Sequence, residues 1–128
     1  MTIKSSKTLV SDALGEVKTI SPEEALKLTN ENKCSLIDIR DAVELQKLGR
    51  IENSYHISRG LLEFSIHPDS AFVKNNKLDL NKEIVLFCAA GGRSALAAKT
   101  LKEMGFNNIS HIEGGFGLMR QKGFKIKS

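Results

Sequence analysis

The chain has no tryptophan, one tyrosine, two prolines and two cysteines in 128 residues. With aromatics at only 5%, it lacks the stacking side chains that single-stranded nucleic-acid surfaces interleave with basic residues, so no nucleic-acid partner is expected. Cys34 and Cys88 are far apart and form no zinc or redox-pair spacing. That usage suits a reducing compartment, and the expected location is cytoplasmic. His56, His67 and His111 show no metal-ligand spacing either, so no metal and no organic cofactor are expected. No run approaches the roughly 18 apolar residues of a membrane span, so no membrane partner is expected. The opening MTIKSSKTLVSDALGEV lacks the uninterrupted apolar core of a signal peptide, and Asp12 and the absence of arginine argue against a mitochondrial presequence. Charge is not blocked: 19 basic residues face 15 acidic ones, a net +4 spread along the chain. Residues 120–127 (RQKGFKIK) are the one dense basic cluster and read as a solvated terminus, leaving a mild attraction for small anions.

What is present suffices for one domain with a real core: 41% hydrophobic and 27% charged residues, ordinary for a globular chain. Residues 1–16 read as an N-terminal extension with a short helix over 5–14, and 17–128 as the domain. Strand signals at 17–20, 34–39, 55–57, 84–88 and 108–112 alternate with helical stretches at 22–29, 41–48, 60–66, 70–74, 94–104 and 116–122. Ser21-Pro22-Glu23-Glu24 is a helix start, with Ser21 as N-cap and Glu24 completing a capping box. The helix over 94–104 is expected to turn Leu96, Ala97, Leu101 and Met104 inward. The alternation implies an α/β fold, a mostly parallel sheet with helices on both faces.

The most informative stretch is IVLFCAAGGRS, residues 84–94. Four strand-forming residues end at Cys88. Ala89, Ala90, Gly91 and Gly92 make a small-residue turn, and Arg93 and Ser94 lead into a helix. The C-terminal end of a buried strand is where α/β sheets build ligand sites, and a helix N-terminus aims unpaired N–H groups at one spot, a cradle for an anion. A free cysteine is only roughly 3% thiolate at pH 7, and a fall of about two pKa units, ordinary at such a position, raises that to roughly three quarters. Arg93 opposes the helix dipole and so makes sense as a clamp for an anion in the same cradle. The structural alternative makes Cys88 a small core residue and the glycines a tight connection.

Four segments in order resemble the rhodanese-like domain across roughly residues 20–124: SLIDIRDAVEL (35–45), GRIENSYHISRG (49–60), CAAGGRS (88–94) and IEGGFGLMRQKG (112–123). The resemblance implies a rhodanese-like fold and a sulfurtransferase that carries a sulfane sulfur on Cys88 as a persulfide. Thiosulfate or another small anionic sulfur donor would load it, and a thiol or cyanide would unload it. A protein sulfur donor or acceptor would also fit. Residues 89–92 and Ser94 would cradle the sulfur, with Arg93 on the donor's oxyanion end. Arg59 in the Ser-Arg-Gly turn is a further candidate for donor binding. Asp38 and Arg40 are expected to support the site, or to be an ordinary ion pair with Arg40 reaching Glu44. Cys88 and Arg93 bracket four residues, where cysteine phosphatases and arsenate reductases of related fold bracket five. The shorter loop suits one sulfur atom rather than a tetrahedral oxyanion. Such an enzyme, or a non-catalytic binding module, is the alternative. The chain departs from the family pattern at Arg50, at His56-Ile57-Ser58 and at Leu118, near which the family usually has Trp. These departures concern packing or substrate detail, not the nucleophile. Cys34 reads as a core residue, a resolving thiol only if it lies near Cys88.

Overall fold

A computed structural model describes residues 2–128. In chain order the elements are α1 (Ser6–Leu14), β1 (Lys18–Ile20), α2 (Pro22–Asn30), β2 (Cys34–Asp38), α3 (Ala42–Leu48), β3 (Arg50–Ile51) and β4 (Tyr55–His56). A 3₁₀ turn (Arg59–Leu61) follows, then α4 (Leu62–Ser65), α5 (Ala71–Asn76), β5 (Glu83–Phe87), α6 (Gly92–Met104), β6 (Ile109–Ile112), α7 (Gly115–Gln121) and β7 (Ile126–Lys127). Five strands form one parallel sheet in the order β1-β6-β5-β2-β4. The α/β architecture with a mostly parallel sheet is the one the alternating signals imply. A separate antiparallel pair, β3 with β7, has no counterpart in those signals.

The central strand β5 shows how sequence positions the site. Its side chains alternate between faces. Ile84, Leu86 and, beyond the strand, Cys88 join one buried cluster with Ile37, Ile39 and Ala97, Ala98 and Leu101 of α6. Val85 and Phe87 join the other, with Ala25 of α2 and Phe116 and Met119 of α7. Both faces of β5 are covered, so it reads as a continuous apolar run.

Ser21 caps α2 as expected, its hydroxyl accepting from the Glu24 N–H at 3.1 Å. The complete capping box belongs instead to Asp41 and Glu44 at the start of α3. The expected inward face of α6 holds at Ala97 and Leu101 and is corrected at Met104. Its buried residues are Ser94, Ala95, Ala97, Ala98 and Leu101, whereas Met104 is 41% exposed. The small side chains let α6 lie close on the sheet, and α1 packs along α6. Among the described residues no helix is long and apolar enough to cross a membrane.

Candidate active site

Cys88 follows β5 directly and is 1% exposed. The turn after it ends at Gly91, whose φ of +107° favours glycine. Helix α6 starts at Gly92, two residues earlier than the sequence suggests, so Arg93 and Ser94 lie in its first turn. Two backbone N–H groups reach Cys88 Sγ, that of Gly91 at 3.1 Å and that of Ser94 at 3.4 Å. The cradle inferred from small residues before a helix is therefore a specific pair of donors. Ala89 and Ala90 lie between Cys88 and the first donor, and Gly92 lies between the two donors.

The closing segment holds the loop from behind. Phe116 N–H donates to the Cys88 carbonyl at 2.7 Å, and Gly117 N–H to that of Ala89 at 3.2 Å. Gly115, at φ +56°, sits so close that a Cβ there would press on the Cys88 carbonyl oxygen and lie 2.7 Å from the Ala89 carbonyl carbon. Gly114 and Gly115 read from sequence as a turn; Gly115 is also in close contact with the backbone of Cys88 and Ala89.

Asp38 and Arg40 pair with each other, both side chains fully buried, Arg40 Nη2 donating to Asp38 Oδ2 at 2.8 Å. The expected alternative of Arg40 with Glu44 is corrected: the Asp38 carboxylate, two residues back, takes both Nε–H and Nη2–H. Arg40 Nη2 also donates to the Gly49 carbonyl at 3.0 Å. The guanidinium lies 3.9 Å from the centre of the Phe116 ring. Phe116, whose N–H donates to the Cys88 carbonyl, is thus in contact with this buried pair.

Arg93 is not an isolated clamp. Its Nη1 and Nη2 donate to Glu44 Oε1 and Oε2 at 2.7 and 3.0 Å. The stretch around Cys88 has no acidic residue of its own, but α3 brings one in. The Arg93 hydrogen bonds hold the Glu44 carboxyl down at about 2, against an ordinary 4.5, and Glu44 in turn raises Arg93. Arg59, the further candidate for donor binding, has its guanidinium engaged by two side chains. Its guanidinium donates to Glu63 at 2.8 Å and to Thr100, in the body of α6, at 3.4 Å.

His56 and His111, which show no metal-ligand spacing in sequence, have defined partners. His56 Nε2 meets the Arg40 carbonyl at 2.7 Å. His111, 1% exposed, meets Ser94 Oγ and Thr19 Oγ1. A histidine inside the apolar run IleSerHisIle of a buried strand was the available signal, because its ring must find polar partners. Cys34 lies opposite Glu83 in the β2–β5 register, five residues before Cys88, hence roughly 16 Å away along the sheet. It is not placed to resolve Cys88, and burial pushes its thiol pKa up. Among the described residues no group of three or more His, Cys, Asp or Glu could hold a metal ion.

The loop borders a cleft of about 210 Å³ lined by Val10 and Leu14 of α1, Ala90, Gly92, His111 and Gly114. Three larger clefts, of about 320, 480 and 540 Å³, include no loop residue.

The family profile described as "Rhodanese-like domain" matches residues 21–121. The chain belongs to the rhodanese-like family. Thiosulfate sulfurtransferase GlpE of Pseudomonas savastanoi pv. phaseolicola is 35% identical over 105 residues, covering 82% of this chain and 89% of that protein. The polysulfide-sulfur transferase homodimer of Wolinella succinogenes is 37% identical with a TM-score of 0.74, over 94% of this chain and 85% of that one. A structure from Rhodopseudomonas palustris CGA009, described as a "Protein of Unknown Function" and "Possible Tyrosine Phosphatase", is 38% identical with a TM-score of 0.86. It covers 99% of this chain and 98% of its own. The rhodanese-like match begins after β1, so α1 and its wall of the cleft lie outside it.

Proposed function

We propose that this rhodanese-like domain is a sulfurtransferase of rhodanese type that carries sulfane sulfur on Cys88. The observation that carries the reading is the buried Cys88 sulfur receiving the Gly91 and Ser94 N–H groups at the start of α6. Two directed donors favour the anionic forms of sulfur, first thiolate and then persulfide, over the neutral thiol. In the first half-reaction the Cys88 thiolate attacks the outer sulfur of thiosulfate. The S–S bond of the donor breaks, and sulfite leaves with the bonding pair. In the second, an acceptor thiolate or cyanide attacks the outer persulfide sulfur, and Cys88 leaves as thiolate. No net oxidant or reductant is consumed.

Arg93 serves the donor's oxyanion end while remaining tied to Glu44. Two of its five N–H bonds go to Glu44, and three remain for an anion. A persulfide on a partner protein, as donor or acceptor, uses the same chemistry, and a thiol that must return to the reduced state suits the cytoplasm. The description of the R. palustris relative raises an oxyanion-ester hydrolase as the rival, against which stands the four-residue interval between Cys88 and Arg93.

Intact mass before and after thiosulfate, with Cys88→Ser alongside, tests the reading. The expected result is a gain of one sulfur atom, removed by cyanide and absent from the variant. Turnover of a phosphate ester or arsenate with no sulfur adduct would move the assignment to the rival enzymes.

A further inference from the structure

His111 lies in β6, and each nitrogen of its ring meets a hydroxyl. Nδ1 is 2.9 Å from Ser94 Oγ, and Nε2 is 2.8 Å from Thr19 Oγ1. Ser94 Oγ also donates to the Gly91 carbonyl oxygen at 3.2 Å. Proton counting assigns the rest. A hydroxyl has one proton and a carbonyl none, so the Ser94 proton is spent on Gly91. Nδ1 must then carry a proton and donate it to Ser94 Oγ. Burial lowers the His111 pKa below its usual value of 6.5 and keeps the ring neutral. Nε2 is therefore the acceptor, and Thr19 donates to it. Three hydrogen bonds run in one direction, Thr19 to His111 to Ser94 to Gly91, each polarising the next.

The residues joined at the end of this relay are Gly91 and Ser94, the same two whose N–H groups reach Cys88 Sγ. Gly91 has positive φ and the freedom of a glycine, so an anchored carbonyl removes much of the rotation that would swing the turn away. We propose that His111 is a positioning residue for the Cys88 site, its Nδ1–H setting the Ser94 hydroxyl and, through it, the Gly91–Ser94 turn, so that both N–H groups stay aimed at sulfur. This rests on the reading of Cys88 as the reactive thiol. His111 itself moves no proton and touches no substrate. Thr19, an exposed residue on β1, is the outer end of the relay.

The test is the rate of Cys88 alkylation by iodoacetamide across pH, in the full chain carrying Cys34→Ser so that one thiol reports. His111→Leu keeps much of the volume and removes both ring nitrogens. His111→Asn supplies an amide N–H in place of Nδ1–H. Thr19→Val cuts the relay at its exposed end and leaves the core untouched. His111→Leu should slow alkylation at pH 7 about fivefold to tenfold and move the profile to higher pH, as expected when donors to a charged atom are loosened. Thr19→Val should move it the same way by less, and His111→Asn should return the rate to within about twofold of the parent. If His111→Leu does not fold, Thr19→Val and His111→Asn carry the comparison. Profiles of His111→Leu and Thr19→Val that superimpose on the parent would overturn the proposal. So would a loss in His111→Asn as large as that in His111→Leu, since ring size alone would then explain both. Intact mass after thiosulfate separates the two readings. An alkylation shift in a protein that never gains sulfur removes the sulfurtransferase and leaves the relay. Sulfur loading with no shift removes the relay alone.

Discussion

Arg93 and Glu44, 49 residues apart in sequence, form a two-pronged ion pair at the entrance to α6, with N–O distances of 2.7 and 3.0 Å. Arg93, five residues after Cys88, is thereby fixed in direction by a residue from another helix. With the Arg93 side chain 38% exposed, its value lies in orientation rather than in stability. Glu44→Ala should let the guanidinium swing into solvent and raise KM for thiosulfate about threefold to tenfold with kcat little changed, the cost of ordering one long side chain on binding. Steady-state kinetics check this, and a fall in KM would show that Glu44 competes with the donor.

The pair also has a pH signature. The Glu44 carboxyl is depressed to about 2 in the folded chain against an ordinary 4.5. A depressed acid contributes stability that is fully present above its unfolded value and is lost as pH falls through the folded one. The difference in melting temperature between the parent and Glu44→Ala should be constant above pH 5 and shrink toward pH 2. A difference that disappears by pH 4 would contradict the depressed value.

Gly115→Ala should be among the most damaging single-methyl changes in the chain. The added Cβ meets the backbone of Cys88 and Ala89 at a position with φ +56°, where nothing flexible can give way. A loss of about 2 kcal/mol or more in chemical denaturation is expected, together with slower Cys88 alkylation as the Phe116 hydrogen bond to the Cys88 carbonyl is displaced. Unchanged stability would mean that α7 can retreat from the loop.

Asp38→Asn leaves the Arg40 guanidinium buried without its counter-charge, and should cost about 3–5 kcal/mol. Replacing both residues together, Asp38→Leu with Arg40→Met, should cost less than the single change, because no uncompensated charge is left behind. Denaturation of the three variants side by side gives the answer. A double variant worse than Asp38→Asn would show that the Phe116 contact of Arg40 matters more than charge balance.

Cys34→Ser should leave sulfur loading on Cys88 unchanged, and mild oxidation of the parent should give no internal disulfide. The β2–β5 register keeps the two thiols at opposite ends of the sheet, roughly 16 Å apart and well beyond the ~7 Å Cα limit for a disulfide. Non-reducing mass spectrometry after oxidation checks both points.

The parts of the fold legible in sequence are those set by local chemistry. The run from Ile84 into Cys88, the small-residue turn and the helix to Met104 each have a short-range cause. The run and the turn stand where the sequence puts them, and the helix begins two residues early, at Gly92. The pair β3–β7 has none. It joins Arg50–Ile51 to Ile126–Lys127, two residues each, with no alternation long enough to read. The same distinction governs the site. Cys88 and the glycines were visible because one segment carries them. The partners that orient them were not, because Glu44, Phe116 and His111 arrive from three other elements. Arg40 shows the limit in another way. The sequence offers it either as support of the site or as an ion pair with Glu44. It does not show that Arg40 is fully buried, a rare place for an arginine that the equally buried Asp38 makes tenable. Met104 was misplaced because helical periodicity does not say where the sheet ends beneath the helix.

The strand order also times the appearance of reactivity in a newly made chain. The edge strand β1 pairs with β6, Thr19 meeting His111 across 92 residues. The backbone groups that brace Cys88 from behind, at Phe116 and Gly117, follow it in synthesis. A growing polypeptide therefore has Cys88 without these braces until almost the whole domain has been made. On the proposed reading of Cys88, completion of the fold and assembly of the sulfur site are one event.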